Sequence, residues 1–265
     1  FFGLLLSILN IATFVACWGS DKFLVKTVAV ELDGGRRHDL VGTLVSNYLV
    51  VLINCALLWP IILGFVYYRF ENKLSGSLGV AICLLLLLTA FARTSAAVLR
   101  GLNQVIASEL FLNLLRPLAA IAACLACRAF ASGIGVVQAL AIFCLSYGAS
   151  WVLTERINIK RLKSNLHQLD FQIRRIYSAS FPFLLIGLGV SLLANIDILV
   201  LGMSSTTSEE DVALYFGSAR IAGLVTAGMV SANLLIAPKV PILFQNNQLG
   251  SLLRVVKRNN LFVAL

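Results

Sequence analysis

The sequence predicts an all-α polytopic membrane protein, and three observations carry that prediction. Hydrophobic residues make up 59% of the chain and charged residues 12%, about half the charged share of an ordinary soluble domain. Apolar runs recur at bilayer length, since about 20 residues rising about 1.5 Å each cover a hydrocarbon core of about 30 Å. Lysines and arginines collect in alternate connections between those runs. A net charge of +9 would suggest nucleic acid in a soluble chain. With the basic residues between spans it reports topology and attraction to anionic lipid, and no nucleic-acid partner is expected.

In chain order the spans run over about 1–18, 41–68, 78–98, 106–131, 134–154, 178–203 and 212–237, about seven, with a stub from 259. The first run has neither the basic leader nor the cleavage site of a signal peptide. It is expected to be the tail of a span that starts upstream, and the chain is expected to stop as another begins. Connections 19–40, 93–105, 155–176 and 238–258 hold sixteen of the 21 lysines and arginines, against Arg69, Lys73 and Arg128 on the other side. The positive-inside rule makes the first set cytoplasmic, so the first run travels from outside to inside. The basic stretch 155–176 is the expected linker between a first helical lobe, 1–154, and the start of a second, 177–265.

Local signals fit this arrangement. Pro60, Pro117 and Pro182 fall within or at the start of spans, where a lost backbone hydrogen bond marks a kink near a cavity. Ser208, three residues before Asp211, is a helix-capping pattern. The stretch Leu249–Asn260 is a basic amphipathic piece expected on the inner membrane surface.

Charges inside spans mark the candidate functional residues. Asp197 lies six residues before the end of one run and Arg220 eight residues into the next. In an antiparallel hairpin both sit about 10 Å below the same face. They form either a structural ion pair or the wall of a hydrated substrate cavity. In the fourth span Glu109, Asn113, Arg116, Ala120, Ala123 and Cys127 follow spacings of three and four and share a face. Arg220, Gly223, Ala227 and Ser231 do the same in the seventh. Small residues in such rows serve close helix packing or leave room for a bulky ligand. Arginine presents a planar fork that suits phosphate oxygens.

Other chemistries find no footing. The six cysteines all fall in apolar runs and read as small buried hydrophobes, and Cys124 and Cys127 stack one turn apart on a helix. His38 and His167 lie far apart in basic connections. No nucleophile–base pairing and no metal-ligand spacing is visible, so neither an enzyme nor a cofactor is expected.

The order of several short phrases resembles the polysaccharide (O-antigen and exopolysaccharide) flippases of the multidrug, oligosaccharidyl-lipid and polysaccharide exporter superfamily. Gly3 heads a run that ends in the basic segment Lys22–Lys26, and Leu99-Arg100-Gly101-Leu102 leads to Leu115-Arg116-Pro117-Leu118. Phe181-Pro182, the run Asn195–Gly202, Tyr215, Ala219-Arg220-Ile221-Ala222, Asn233 and Ala237-Pro238 follow. Lys26 departs from the pattern, standing where the family often has arginine. The resemblance implies two lobes of about six helices each around a central cavity, in the cytoplasmic membrane. It implies alternating-access transfer of a polyprenyl-pyrophosphate-linked oligosaccharide, alongside other polysaccharide-assembly membrane proteins. Arg116, Asp197 and Arg220 fall on matching phrases. Two alternatives stay open: a cation-coupled multidrug or metabolite exporter of the same fold, and a membrane-embedded enzyme of the same pathway.

Overall fold

Residues 2–34, 38–70, 76–130, 135–162, 172–204, 208–246 and 248–264 are described by a computed structural model. Among them every regular element is helical: α1 (Phe2–Cys17), α2 (Ser20–Asp33), α3 (His38–Phe70), α4 (Gly76–Gly101) and α5 (Val105–Glu109) come first. A π-helical turn, Leu110–Leu115, joins α5 to α6 (Arg116–Phe130). Then come α7 (Val136–Leu162), α8 (Ile173–Leu193), α9 (Ile196–Met203), α10 (Glu209–Ile236), α11 (Lys239–Gln245) and α12 (Leu249–Ala264). Five segments are long and apolar enough to cross a bilayer: within α3, in α4, in the stretch from α5 through α6, in α7 and in α8. The pair α1–α2, bent by 45°, makes a sixth if taken as one span. The expected span 212–237 falls largely within α10. The chain is an all-α, multi-pass membrane protein.

Helices outrun their apolar stretches, which corrects several expected connections. Residues 20–33 form α2, with Leu24 and Val28 fully buried, where a basic loop was expected. Arg93 and Arg100 lie inside α4, which stops only at Gly101. Residues 155–162 extend α7 with Asn158 buried, so a linker between the lobes begins no earlier than residue 163. Residues 163–171 lie outside the described residues. The surface piece from Leu249 and the stub from 259 are one helix, α12. In α2, α4 and α7 a polar residue ends the hydropathy signal without ending the backbone hydrogen bonding, because neighbouring helices bury the continuation.

The packing centres on α4, which lies along α7 for most of its length and also against α2 and α3. Leu5, Val51, Ile82, Leu85 and Leu140 build the main apolar cluster from α1, α3, α4 and α7. The cysteine expectation holds only in part. All six are free; Cys17, Cys55 and Cys144 are buried, Cys83 and Cys124 are half-buried, and Cys127 is exposed on α6.

The break between α1 and α2 is made by two consecutive left-handed residues, Trp18 (φ 52°) and Gly19 (φ 67°). The indole Nε1–H of Trp18 donates to the Tyr177 carbonyl at 3.2 Å. Asn54 Nδ2 donates to the Ala16 carbonyl at 3.1 Å, taking up an acceptor at the end of α1, and Tyr177 Oη donates to Asn54 Oδ1 at 2.8 Å. The break thus becomes the docking point for α8. A Cβ at Gly19 would lie 2.3 Å from the Leu184 backbone nitrogen. Gly19→Ala is therefore expected to lower the yield and melting temperature of monodisperse protein sharply, combining a positive-φ cost of about 1 kcal/mol with a backbone clash. A Cβ at Gly64 in α3 meets nothing within 4 Å, and Gly64→Ala should match or slightly exceed the parent. Size-exclusion profiles and thermal melts of the two variants check the contrast.

Candidate functional site

Side chains from α1, the second half of α4, the stretch from α5 to the start of α6, α7 and α10 surround one cavity of about 590 Å³. Four arginines and one carboxylate line it: Arg93 and Arg100 from α4, Arg116 from α6, Arg220 from α10, and Glu109 from α5. Asn10, Thr13, Asn113 and Tyr147 add polar groups.

The arginines divide into two kinds. Arg93 lies 3.9 Å from the Asp21 carboxylate, with its guanidinium 3.8 Å above the Phe14 ring. Arg100 donates from Nε to Ser108 Oγ at 3.1 Å and stands 3.7 Å from Glu109 Oε1, while Glu109 Oε2 accepts from Asn113 Nδ2 at 2.6 Å. These two are compensated, if loosely. Arg116 instead lies over the Tyr147 ring at 4.5 Å and Arg220 over the Phe216 ring at 4.7 Å. Among the described residues neither has a carboxylate within ion-pair distance. An aromatic face contributes about 0.5–1 kcal/mol to an exposed cation and about 2 or more to a desolvated one, well short of what an unhydrated charge in hydrocarbon costs. The two guanidinium groups therefore need water or an anion in the cavity. Gly3 packs against Phe216, since a Cβ there would meet the ring at 3.0 Å. The start of α1 thus supports the ring beneath Arg220.

The backbone of the π-helical turn positions the polar face of the fourth span. Pro117 supplies no N–H, and the Arg116 N–H reaches back five residues to the Phe111 carbonyl. Ser150 Oγ also donates to that carbonyl, at 3.3 Å. The widened turn keeps Glu109, Asn113 and Arg116 together on the cavity and turns the rest of the expected row elsewhere. Ala120 and Cys124 line a neighbouring groove of about 430 Å³ with Pro117, Ile121 and Leu125. Cys127 faces outward. Arg116 and Phe143 border both spaces, so the cationic cavity and an apolar groove between α6 and α7 adjoin at Arg116.

Asp197 is not part of this cavity and does not pair with Arg220. Its Oδ2 accepts from Tyr215 Oη at 2.8 Å. The expectation of matched depth fails because residues 178–203 are not one helix. Asn195 (φ −133°, ψ −5°) interrupts them between α8 and α9, and a uniform rise per residue cannot be counted across that break. In the other expected row, a Cβ at Gly223 meets nothing within 4 Å, and the side chains of Ala227 and Ser231 lie outside the described residues. Arg93 and Arg100 are site residues that the hydropathy pattern assigns to a connection. Their spacing of seven, two helical turns, is the signal that places both on one face. Comparison with family models, with curated proteins and with solved structures returns no match to this chain.

The pairing found here makes a double-mutant cycle decisive. Asp197→Asn and Arg220→Gln are expected to change the amount of folded protein additively, within about 0.5 kcal/mol in unfolding free energy. Asp197→Asn and Tyr215→Phe should be non-additive, because each removes the same hydrogen bond. Melting curves of the five variants check both statements.

Proposed function

We propose that the protein is a flippase of the cytoplasmic membrane that carries a polyprenyl-pyrophosphate-linked oligosaccharide between leaflets by alternating access, for surface polysaccharide assembly. The supporting observation is the junction at Arg116, where a cavity with two carboxylate-free arginines meets an apolar groove. A ligand that fits both spaces has an anionic head and a hydrocarbon tail. In this reading Arg116 and Arg220 take the pyrophosphate oxygens through their planar forks. The polar side chains Asn10, Thr13 and Asn113 face the sugars, and the start of the prenyl chain lies along Ala120, Ile121 and Leu125. Arg116 and Arg220 come from the two expected lobes. A pyrophosphate bridging them would favour whichever arrangement brings the lobes together, and that differential affinity is what drives a population shift. The same pair, with no carboxylate within ion-pair distance among the described residues, suits an anionic ligand better than the cationic compounds a multidrug exporter would take.

The test is transfer of a fluorescent prenyl-diphosphate saccharide across proteoliposomes containing the full-length protein. Arg116→Ala and Arg220→Ala should each insert and melt near the parent yet lose transfer at least about ten-fold, one lost charged contact being worth about 1.5–3 kcal/mol. Arg116→Lys should keep part of it, since the charge survives and the fork does not. Unchanged transfer in both alanine variants would refute the reading.

A further inference from the structure

A second polar cluster lies away from the cavity, among α3, α4 and α7, around the carboxylate of Glu155. Its Oε2 accepts from Ser95 Oγ at 2.7 Å, Tyr48 Oη at 2.9 Å and Asn158 Nδ2 at 3.2 Å. Every partner is neutral, and no cationic side chain lies within ion-pair distance of Glu155 among the described residues. Ser95 and Asn158 are essentially fully buried, and Phe91 walls the cluster, packing edge-on to Tyr48 at 5.1 Å and tilted against Trp151 at 5.3 Å. The Asn158 amide is poorly matched to its place. Its Nδ2 sits amid three oxygens, Ser95 O at 3.1 Å, Ser95 Oγ at 2.9 Å and Glu155 Oε2, although an amide nitrogen has two hydrogens to give. Its Oδ1 is buried with no hydrogen-bond partner among the described residues.

We propose that Glu155, Ser95, Tyr48 and Asn158 form a binding site for a monovalent cation of sodium type. Hard cations take oxygen ligands, and carboxylate, hydroxyl and backbone carbonyl oxygens surround the place that Asn158 Nδ2 fills, with the Tyr48 phenol on the same carboxylate oxygen. The hydroxyls of Ser95 and Tyr48 accept as readily as they donate, and a half-turn of the Asn158 amide exchanges its nitrogen for the orphaned Oδ1. Charge selects the ion. With one carboxylate in this half-buried cluster, a monovalent cation leaves no net charge, whereas a divalent one leaves an uncompensated charge. Binding would tie α3 to α4 and α7 and does not depend on what the arginine cavity transports.

The experiment compares thermal unfolding of the purified full-length protein in sodium chloride and choline chloride, at fixed pH and ionic strength, followed by tryptophan fluorescence. The melting temperature should rise saturably with sodium. Glu155→Gln should weaken the apparent sodium affinity at least ten-fold, and Ser95→Ala and Tyr48→Phe at least three-fold. Should Glu155→Gln fail to fold, the latter two variants and the sodium dependence of the parent decide. Equal melting of the parent in both salts overturns the proposal, leaving the cluster a structural network. A melting temperature that moves with pH but not with sodium overturns it in favour of a proton. Sodium dependence that survives in all the variants places the ion elsewhere, and overturns it too.

Discussion

Two guanidinium groups with no carboxylate in ion-pair distance among the described residues, set among apolar helices, are the constraint on which the rest of the arrangement depends. Arg116 and Arg220 each rest on an aromatic ring. A ring stabilises a cation too weakly to hold it in a dry interior. The helices therefore have to leave a hydrated space at this level, and the wide turn before α6 is a departure from regular helix on its wall. The left-handed pair Trp18–Gly19 bends α1 away from α2, and the wide turn Leu110–Leu115 re-aims the fourth span. Neither irregularity wastes hydrogen bonds. Asn54 meets the Ala16 carbonyl at the first, and Ser150 meets the Phe111 carbonyl at the second. Backbone irregularity within a membrane protein is tolerated where it is buried in protein or lines a cavity, and both kinds occur here.

Most of the architecture was legible because hydropathy and length speak about whole segments. The expected apolar stretches 41–68 and 78–98 lie within α3 and α4, most of 106–131 and 134–154 falls in the stretch from α5 to α6 and in α7, and Ser208 caps α10 as its spacing predicts, accepting from the Asp211 N–H at 3.1 Å. Helix ends were less legible. Hydropathy reports what a side chain prefers and says little about where backbone hydrogen bonding stops, so α2, the end of α4 and the end of α7 read as connections. The error has chemical consequences, since Arg93, Arg100 and Glu155 all sit in those continuations.

The same limit explains the outcome for individual site residues. Glu109, Asn113 and Arg116 share a short local spacing that survives the wide turn, and all three reach the cavity. Asp197 and Arg220 were linked by counting residues along two helices, and the break at Asn195 invalidates the count. Tyr215, the residue that does meet Asp197, stands eighteen positions on, and no periodicity connects the two. Local spacing carries information about a face; depth along a broken span does not.

The central claim is that the arginine-lined space is hydrated and selects anions, and thiol accessibility at Asn113 tests it most directly. The variant Asn113→Cys, made after the six native cysteines are replaced, would be treated with a negatively charged and a positively charged methanethiosulfonate reagent. The account predicts reaction with both, faster with the anionic reagent relative to a simple thiol in solution, and slowing of that reaction by inorganic pyrophosphate. A thiol that stays unreactive, or that prefers the cationic reagent and ignores pyrophosphate, would contradict it.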